Sequence, residues 1–214
     1  MTILTRRNIL LTGAIAAAAA LTAGALIATS ADAAVETGAP APNFTLRDAQ
    51  GNTRTLAEFS GRTIVLEWTN RDCPYVRKHY NSGNMQRIQR EATGDGAVWL
   101  TVLSSAPGEQ GYLQGPAAAA HVQAVNAAPT AFLLDPEGTM GHAYGARTTP
   151  HMFIINPEGR VVYQGAIDDR PSANPRSLEG AHNYVEAALE DLAAGRAIRT
   201  AETQAYGCSV KYAT

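Results

Sequence analysis

Two cysteines, Cys73 and Cys208, are the only thiols in the 214 residues, and both the type and the setting of Cys73 favour chemistry. It lies in Thr69-Asn70-Arg71-Asp72-Cys73-Pro74-Tyr75-Val76, where a β-branched run gives way to a helical stretch. A thiol at a helix start meets unpaired backbone N–H groups and the positive end of the helix dipole, both of which favour the thiolate. Arg77, four residues on, shares its helical face, and Arg71 lies two residues before it. Two nearby cations lower a thiol pKa, while Asp72 opposes them. The expectation is an ionised, accessible nucleophile at Cys73 stabilised by Arg71 and Arg77. The alternative is a small buried hydrophobe, against which the polar loop Thr69–Asp72 argues. Cys208 admits three readings. It is a remote resolving cysteine that attacks a sulfenic acid or mixed disulfide at Cys73, within the chain or from a second subunit. It is one half of a permanent bond to Cys73, worth about 4–5 kcal/mol for so long a loop. Or both thiols are free.

The remaining soft and imidazole donors, His79 and His151, form no paired spacing with the cysteines. On a helix His79 falls about 120° away from Cys73, and neither Cys-x-x-Cys nor His-x-x-x-His occurs, so no metal is expected. A Gly-rich phosphate loop, a Ser-His-Asp pattern and a carboxylate pair are equally missing; Asp168-Asp169 reads as a loop or cap feature, and no cofactor is expected. Seventeen Lys and Arg against 19 Asp and Glu leave a formal charge of −2, with no basic run beyond Arg6-Arg7. That distribution excludes a dedicated nucleic-acid role. A 45% hydrophobic, 17% charged chain of this length builds one core of ordinary size.

The elements that must position Cys73 follow from patterning. Residues 1–33 are set apart as an export segment: Arg6-Arg7, an uncharged run from Ile9 to Ala28, and Ala31-Asp32-Ala33, which predicts cleavage after Ala33. Thr5-Arg6-Arg7-Asn8-Ile9-Leu10 resembles a twin-arginine signal. The mature protein is then periplasmic, meets the membrane only during export, and its thiol needs a dedicated periplasmic electron donor. Residues 34–42 read as a linker, 43–195 as the domain, and 196–214 as a C-terminal tail carrying Cys208. Within the domain the sequence predicts an edge hairpin from Phe44 turning at Asp48–Asn52, and a helical turn at Leu56–Phe59. A strand at Thr63–Trp68 and a helix from Cys73 to about Ala92 follow. Next come a central strand at Ala97–Leu103, a helix at Pro116–Val125, a strand at Ala131–Leu134 and a helical turn at Gly138–Tyr144. A hairpin of Met152–Asn156 and Arg160–Gly165, then a helix at Leu178–Ala194, complete an α/β domain with a mixed central sheet flanked by helices.

At a strand-to-helix turn, Glu67-Trp68-Thr69-Asn70-Arg71-Asp72-Cys73-Pro74-Tyr75-Val76 resembles the thioredoxin and peroxiredoxin superfamily, and Thr148-Thr149-Pro150 before a hairpin resembles its cis-proline loop. Leu103–Gly108, Gly165–Asp169 and Tyr206–Tyr212 are similar to the exported redoxin, or peroxiredoxin-like, branch. The resemblance implies a thioredoxin-like fold with a cis Pro150 facing Cys73 and a Thr149 backbone able to pair with a polypeptide substrate. Departures are specific. Val76 replaces the second cysteine of a thioredoxin, while Leu66, Asn70 and Pro150 stand where peroxiredoxins carry Pro, Thr or Ser, and Arg. The implied activity is thiol oxidoreduction by Cys73 on disulfides or oxidised thiols, with a protein or small-molecule thiol, disulfide or peroxide as substrate. The rivals are a divergent antioxidant peroxidase and a non-catalytic periplasmic binding module or copper chaperone.

Overall fold

The computed structural model describes residues 34–213; the predicted export segment, with its cleavage site after Ala33, lies outside them. Seven strands form one mixed sheet in the order β2-β1-β5-β4-β3-β7-β8. The three central strands, β3 (Ile64–Trp68), β4 (Val98–Leu103) and β5 (Ala131–Leu134), are parallel. Their runs are apolar almost throughout because both faces are covered. On β3, Ile64, Leu66 and Trp68 face one core, while Val65 faces the other, the two-residue alternation of a strand. The hairpin β1 (Thr45–Asp48) and β2 (Thr53–Thr55) closes one edge, and the hairpin β7 (His151–Ile155) and β8 (Val161–Gly165) the other, both as predicted.

Helix α3 (Gly115–Ala124) buries Ala118 beside Phe132, and α4 (Thr139–Tyr144) buries Met140 and Tyr144 against the Trp68 face. Two helical predictions need correction. The single helix expected from Cys73 to Ala92 is two: α1 (Pro74–Asn81) and α2 (Asn84–Gly94), separated at Gly83, whose φ of 77° is not a helical value. The apolar stripe continues across the break, so periodicity alone does not reveal it. The helix expected from Leu178 begins only at Tyr184: α5 (Tyr184–Ala193) is capped by the Asn183 side chain, which accepts from the Val185 and Glu186 amides. An Asn cap satisfies otherwise orphaned N–H groups. Pro175–Leu178 is instead a separate 3-10 turn.

Beyond α5 the chain runs along the β8 edge, where Gln164 N donates to Ala201 O and Thr203 N to Gln164 O, at 3.1 Å each. It ends in β9 (Cys208–Ser209), which pairs antiparallel with β6 (Thr148–Thr149). The tail carrying Cys208 is therefore docked on the domain.

Candidate functional site

Cys73 is carried to its place by Asn70. The Asn70 side chain accepts from the Asp72 amide at 2.9 Å and donates to Gln110 O at 2.9 Å, while Cys73 N donates to Asn70 O at 3.0 Å. This local turn stops β3 and leaves Cys73 as the N-cap of α1, with Pro74 in the first helical position, where its missing N–H costs nothing.

The Thr149–Pro150 peptide is cis, as the resemblance implied. Cys73 Sγ lies 3.0 Å from the Thr149 carbonyl oxygen, so that in this arrangement the thiol donates. The register of β6 and β9 sets Cys208 directly opposite Thr149. The Cys208 thiol is thereby placed near enough to the Cys73 sulfur to bias its ionisation. Burial works against ionisation of Cys73. The Cys208 thiol, the Thr149 side chain and the Val76 and Cys208 amides outweigh it and hold the pKa below its ordinary value. Cys208 moves the opposite way: burial first, then its position as donor to Cys73 and the charge there, push it up to about 11. The two sulfurs thus differ in the sense required of a nucleophile and a protonated partner.

Two expectations about Cys73 change. Its sulfur is not open to solvent: the residue is 0% exposed, whereas Cys208 above it is only half-buried. The polar loop before Cys73 is at the surface, but the tail covers the thiol, a contact between residues far apart in sequence. Arg71 and Arg77 are both exposed, and Arg71 is paired with Asp72 at 3.7 Å. The groups that favour the thiolate are those of β6, β9 and the α1 start. Solvent screening leaves an exposed guanidinium with little hold on a buried sulfur.

Pro150 and Thr149 are both buried, and Thr149 meets Cys73 through its carbonyl oxygen. The Thr149 backbone, expected to be free for a substrate, is already paired with Cys208. The approach there is so close that a Cβ on Gly207, whose φ is 140°, would sit 2.1 Å from the Thr149 oxygen. Only glycine fits.

Lys78, left unassigned by the sequence, and Asp168, expected only as a loop or cap feature, hold the tail through Tyr206. Lys78, on α1, is 1% exposed, and its Nζ donates to Tyr206 Oη at 2.9 Å, Arg170 O at 3.0 Å and Asp168 Oδ2 at 3.3 Å. Tyr206 Oη in turn donates to Asp168 Oδ1. Burial lowers the Lys78 pKa, and Asp168 works against that. The Tyr206 ring also packs edge-on against Tyr75, with centroids 5.8 Å apart. A lysine among polar helix residues gives no signal of this burial; Tyr206-Gly207-Cys208 is the one sequence cue. His79 turns away from Cys73, accepting from Asn84 Nδ2 at 2.8 Å if its Nε2 carries the proton. His151 accepts from the Arg147 amide at 3.3 Å and packs on Phe153.

Comparison with known proteins agrees with this architecture. No curated protein matches the chain. Among solved structures, the hypothetical protein SMc02350 from Sinorhizobium meliloti 1021 is 25% identical with a TM-score of 0.70, covering 86% of this chain and 98% of its own. An uncharacterized conserved protein from Geobacillus kaustophilus is 23% identical with a TM-score of 0.71, covering 83% and 93%. A candidate thiol:disulfide interchange protein, DsbE, from Chlorobium tepidum shares the fold at 23% identity and a TM-score of 0.50, covering 61% and 85%. The family model described as Redoxin matches residues 36–181, most of the described domain and all of its sheet, Cys73 and Pro150 included; the chain, with its thioredoxin-like fold, belongs to the Redoxin family.

Proposed function

We propose that the protein is a periplasmic thiol oxidoreductase whose working pair is Cys73 and Cys208. The observation that carries this reading is the β6–β9 register, which sets Cys208 opposite Thr149, the residue whose carbonyl oxygen meets the Cys73 sulfur. In the oxidative half-reaction the Cys73 thiolate attacks one sulfur of a disulfide R–S–S–R′. A Cys73–S–S–R bond forms, the substrate S–S bond breaks, and R′–S⁻ leaves. Cys208 then gives up its proton and attacks the Cys73 sulfur, releasing R–S⁻ and leaving a Cys73–Cys208 disulfide. Two electrons pass from the protein to the substrate, and the proton from Cys208 goes to a departing thiolate. An external dithiol donor of the periplasm restores the pair by the reverse exchange.

Cys73 attacks, Cys208 resolves, and Thr149 and Pro150 position the sulfur entering the site. The leaving-group asymmetry supports the same assignment: a sulfur of lowered pKa both ionises and departs more readily than one raised to about 11. The test is thiol-disulfide exchange and hydrogen peroxide turnover by the full chain and by Cys73→Ser. Loss of exchange in Cys73→Ser supports the reading, and full activity in that variant refutes it. Peroxide consumption well above that of a free thiol would favour the peroxidase alternative instead.

A further inference from the structure

The backbone edge beside the cis-proline is where an extended polypeptide would add a strand, and in this protein that edge is filled by the chain's own tail. Beyond the Thr149–Cys208 pair, Val210 N donates to Arg147 O at 3.0 Å and Ala106 N to Lys211 O at 2.8 Å. Tyr212 Oη donates to Ala146 O at 2.7 Å. Upstream, Tyr206 is fastened to Lys78 and Asp168, both buried. A polypeptide that uses the Thr149 edge must first displace a segment held at both ends. A low-molecular-weight disulfide has no strand to add and needs only the Cys73 sulfur, beside which Cys208, paired with Thr149, is only half-buried.

We infer that the tail is a specificity element that reserves Cys73 for low-molecular-weight disulfides, and that Lys78, Asp168 and Tyr206 are its positioning residues. This rests on the proposed thiol-disulfide exchange and names its substrate class. The chemistry is the exchange already written. One R–S–S–R and the protein dithiol give two R–SH and the Cys73–Cys208 disulfide, with no further oxidant. The positioning residues act through the tail and do not touch the reacting sulfurs. Tyr206→Phe removes one hydroxyl, which accepts from a buried ammonium and donates to a buried carboxylate. Gly207→Ala drives a Cβ into the Thr149 carbonyl, by a route independent of the latch.

The test oxidises the reduced full chain with two probes, glutathione disulfide and a linear peptide dimerised through a central cysteine. The rate of Cys73 oxidation is read by acid quench, alkylation and mass. Wild-type protein is expected to react at least about tenfold faster with glutathione disulfide than with the peptide dimer. Tyr206→Phe is expected to shift that ratio about tenfold toward the peptide, the net effect of losing the hydroxyl's two hydrogen bonds, to Lys78 and to Asp168, that hold the closed state. Gly207→Ala should shift it the same way, a check should either variant fold poorly. A general loss of structure would uncover the thiol to both probes, so the ratio is read only for variants whose circular dichroism and urea midpoint match the wild type. Equal rates with both probes in the wild type, or a ratio unchanged in a folded variant, overturn the inference and leave thiol-disulfide exchange standing. Oxidation by neither probe overturns the proposed function, and the inference with it.

Discussion

Replacing Cys208 by Ala should raise the Cys73 pKa, because it removes a thiol that favours the Cys73 thiolate. Four groups favour the Cys73 thiolate: the Cys208 thiol, the Thr149 side chain and the amides of Val76 and Cys208. Of these, the Cys208 thiol is the largest favourable influence after burial has taken its toll. A hydrogen bond to a charged acceptor is worth about 1.5–3 kcal/mol. A thiol is a weak donor, so the lower end applies, which is about a tenfold change in the Cys73 ionisation constant. Cys208→Ser keeps a donor at the same place and should leave the ionisation near that of the wild type. The assay is the pH dependence of thiolate ultraviolet absorbance, with alkylation mapped by mass to assign the step to Cys73. Uncovering the buried sulfur changes alkylation rates by itself, so the midpoint of the titration, and not the absolute rate, carries the answer. The wild type titrates in two macroscopic steps that belong to the pair, and Cys208→Ala should show one, displaced upward from the first. A midpoint in Cys208→Ala equal to or below that first step would refute the donor role of Cys208.

Arg71→Ala and Arg77→Ala should each leave the Cys73 titration midpoint within about twofold in ionisation constant, since both side chains are exposed and screened; a tenfold change in either would return the arginines to the site. His79 and His151 are pushed down to about 4, chiefly by burial, with Lys78 and Arg147 respectively adding to it. Their folded pKa values lie below the unfolded ones, so the unfolded chain takes up protons first as pH falls. Stability should therefore be full above pH about 6.5 and decline toward pH about 4, by on the order of 3 kcal/mol per histidine; urea midpoints that stay level across this window contradict two neutral buried imidazoles. Glu67 is buried and accepts from Tyr80 Oη at 2.8 Å, Trp99 Nε1 at 2.9 Å, Thr101 Oγ1 at 3.0 Å and Gln89 Nε2 at 3.1 Å. Glu67→Ala orphans these donors and should cost about 3 kcal/mol in urea unfolding, whereas a loss under about 1 kcal/mol would mean that the donors find other partners.

The parts of the site legible in the sequence are those fixed by local chemistry. The β-branched run before Thr69 placed a thiol at a helix start, while the loop opposite was marked only by the family resemblance that Thr148-Thr149-Pro150 carries. The covering of Cys73 was not legible, because β9 is two residues long and its stretch carries neither the alternation of a strand nor the period of a helix. Charged residues misled for a related reason. Arg77 and Lys78 are adjacent on α1, yet Arg77 is exposed and Lys78 is buried by a tail residue 128 positions away in sequence. Nothing in the helix itself distinguishes them. The break at Gly83 was hidden because Met85, Ile88 and Ala92 continue the apolar face.

The central claim is that Cys73 and Cys208 exchange electrons as one pair, and its most direct measurement is a redox titration of the purified full chain in glutathione buffers. Acid quench, alkylation and peptide mass mapping then identify each thiol. The account predicts that both cysteines lose their alkylation together at a single potential, and that a Cys73–Cys208 disulfide forms within one chain. Separate potentials for the two thiols, or an oxidised state in which Cys73 is joined only to glutathione or to another chain, would contradict it.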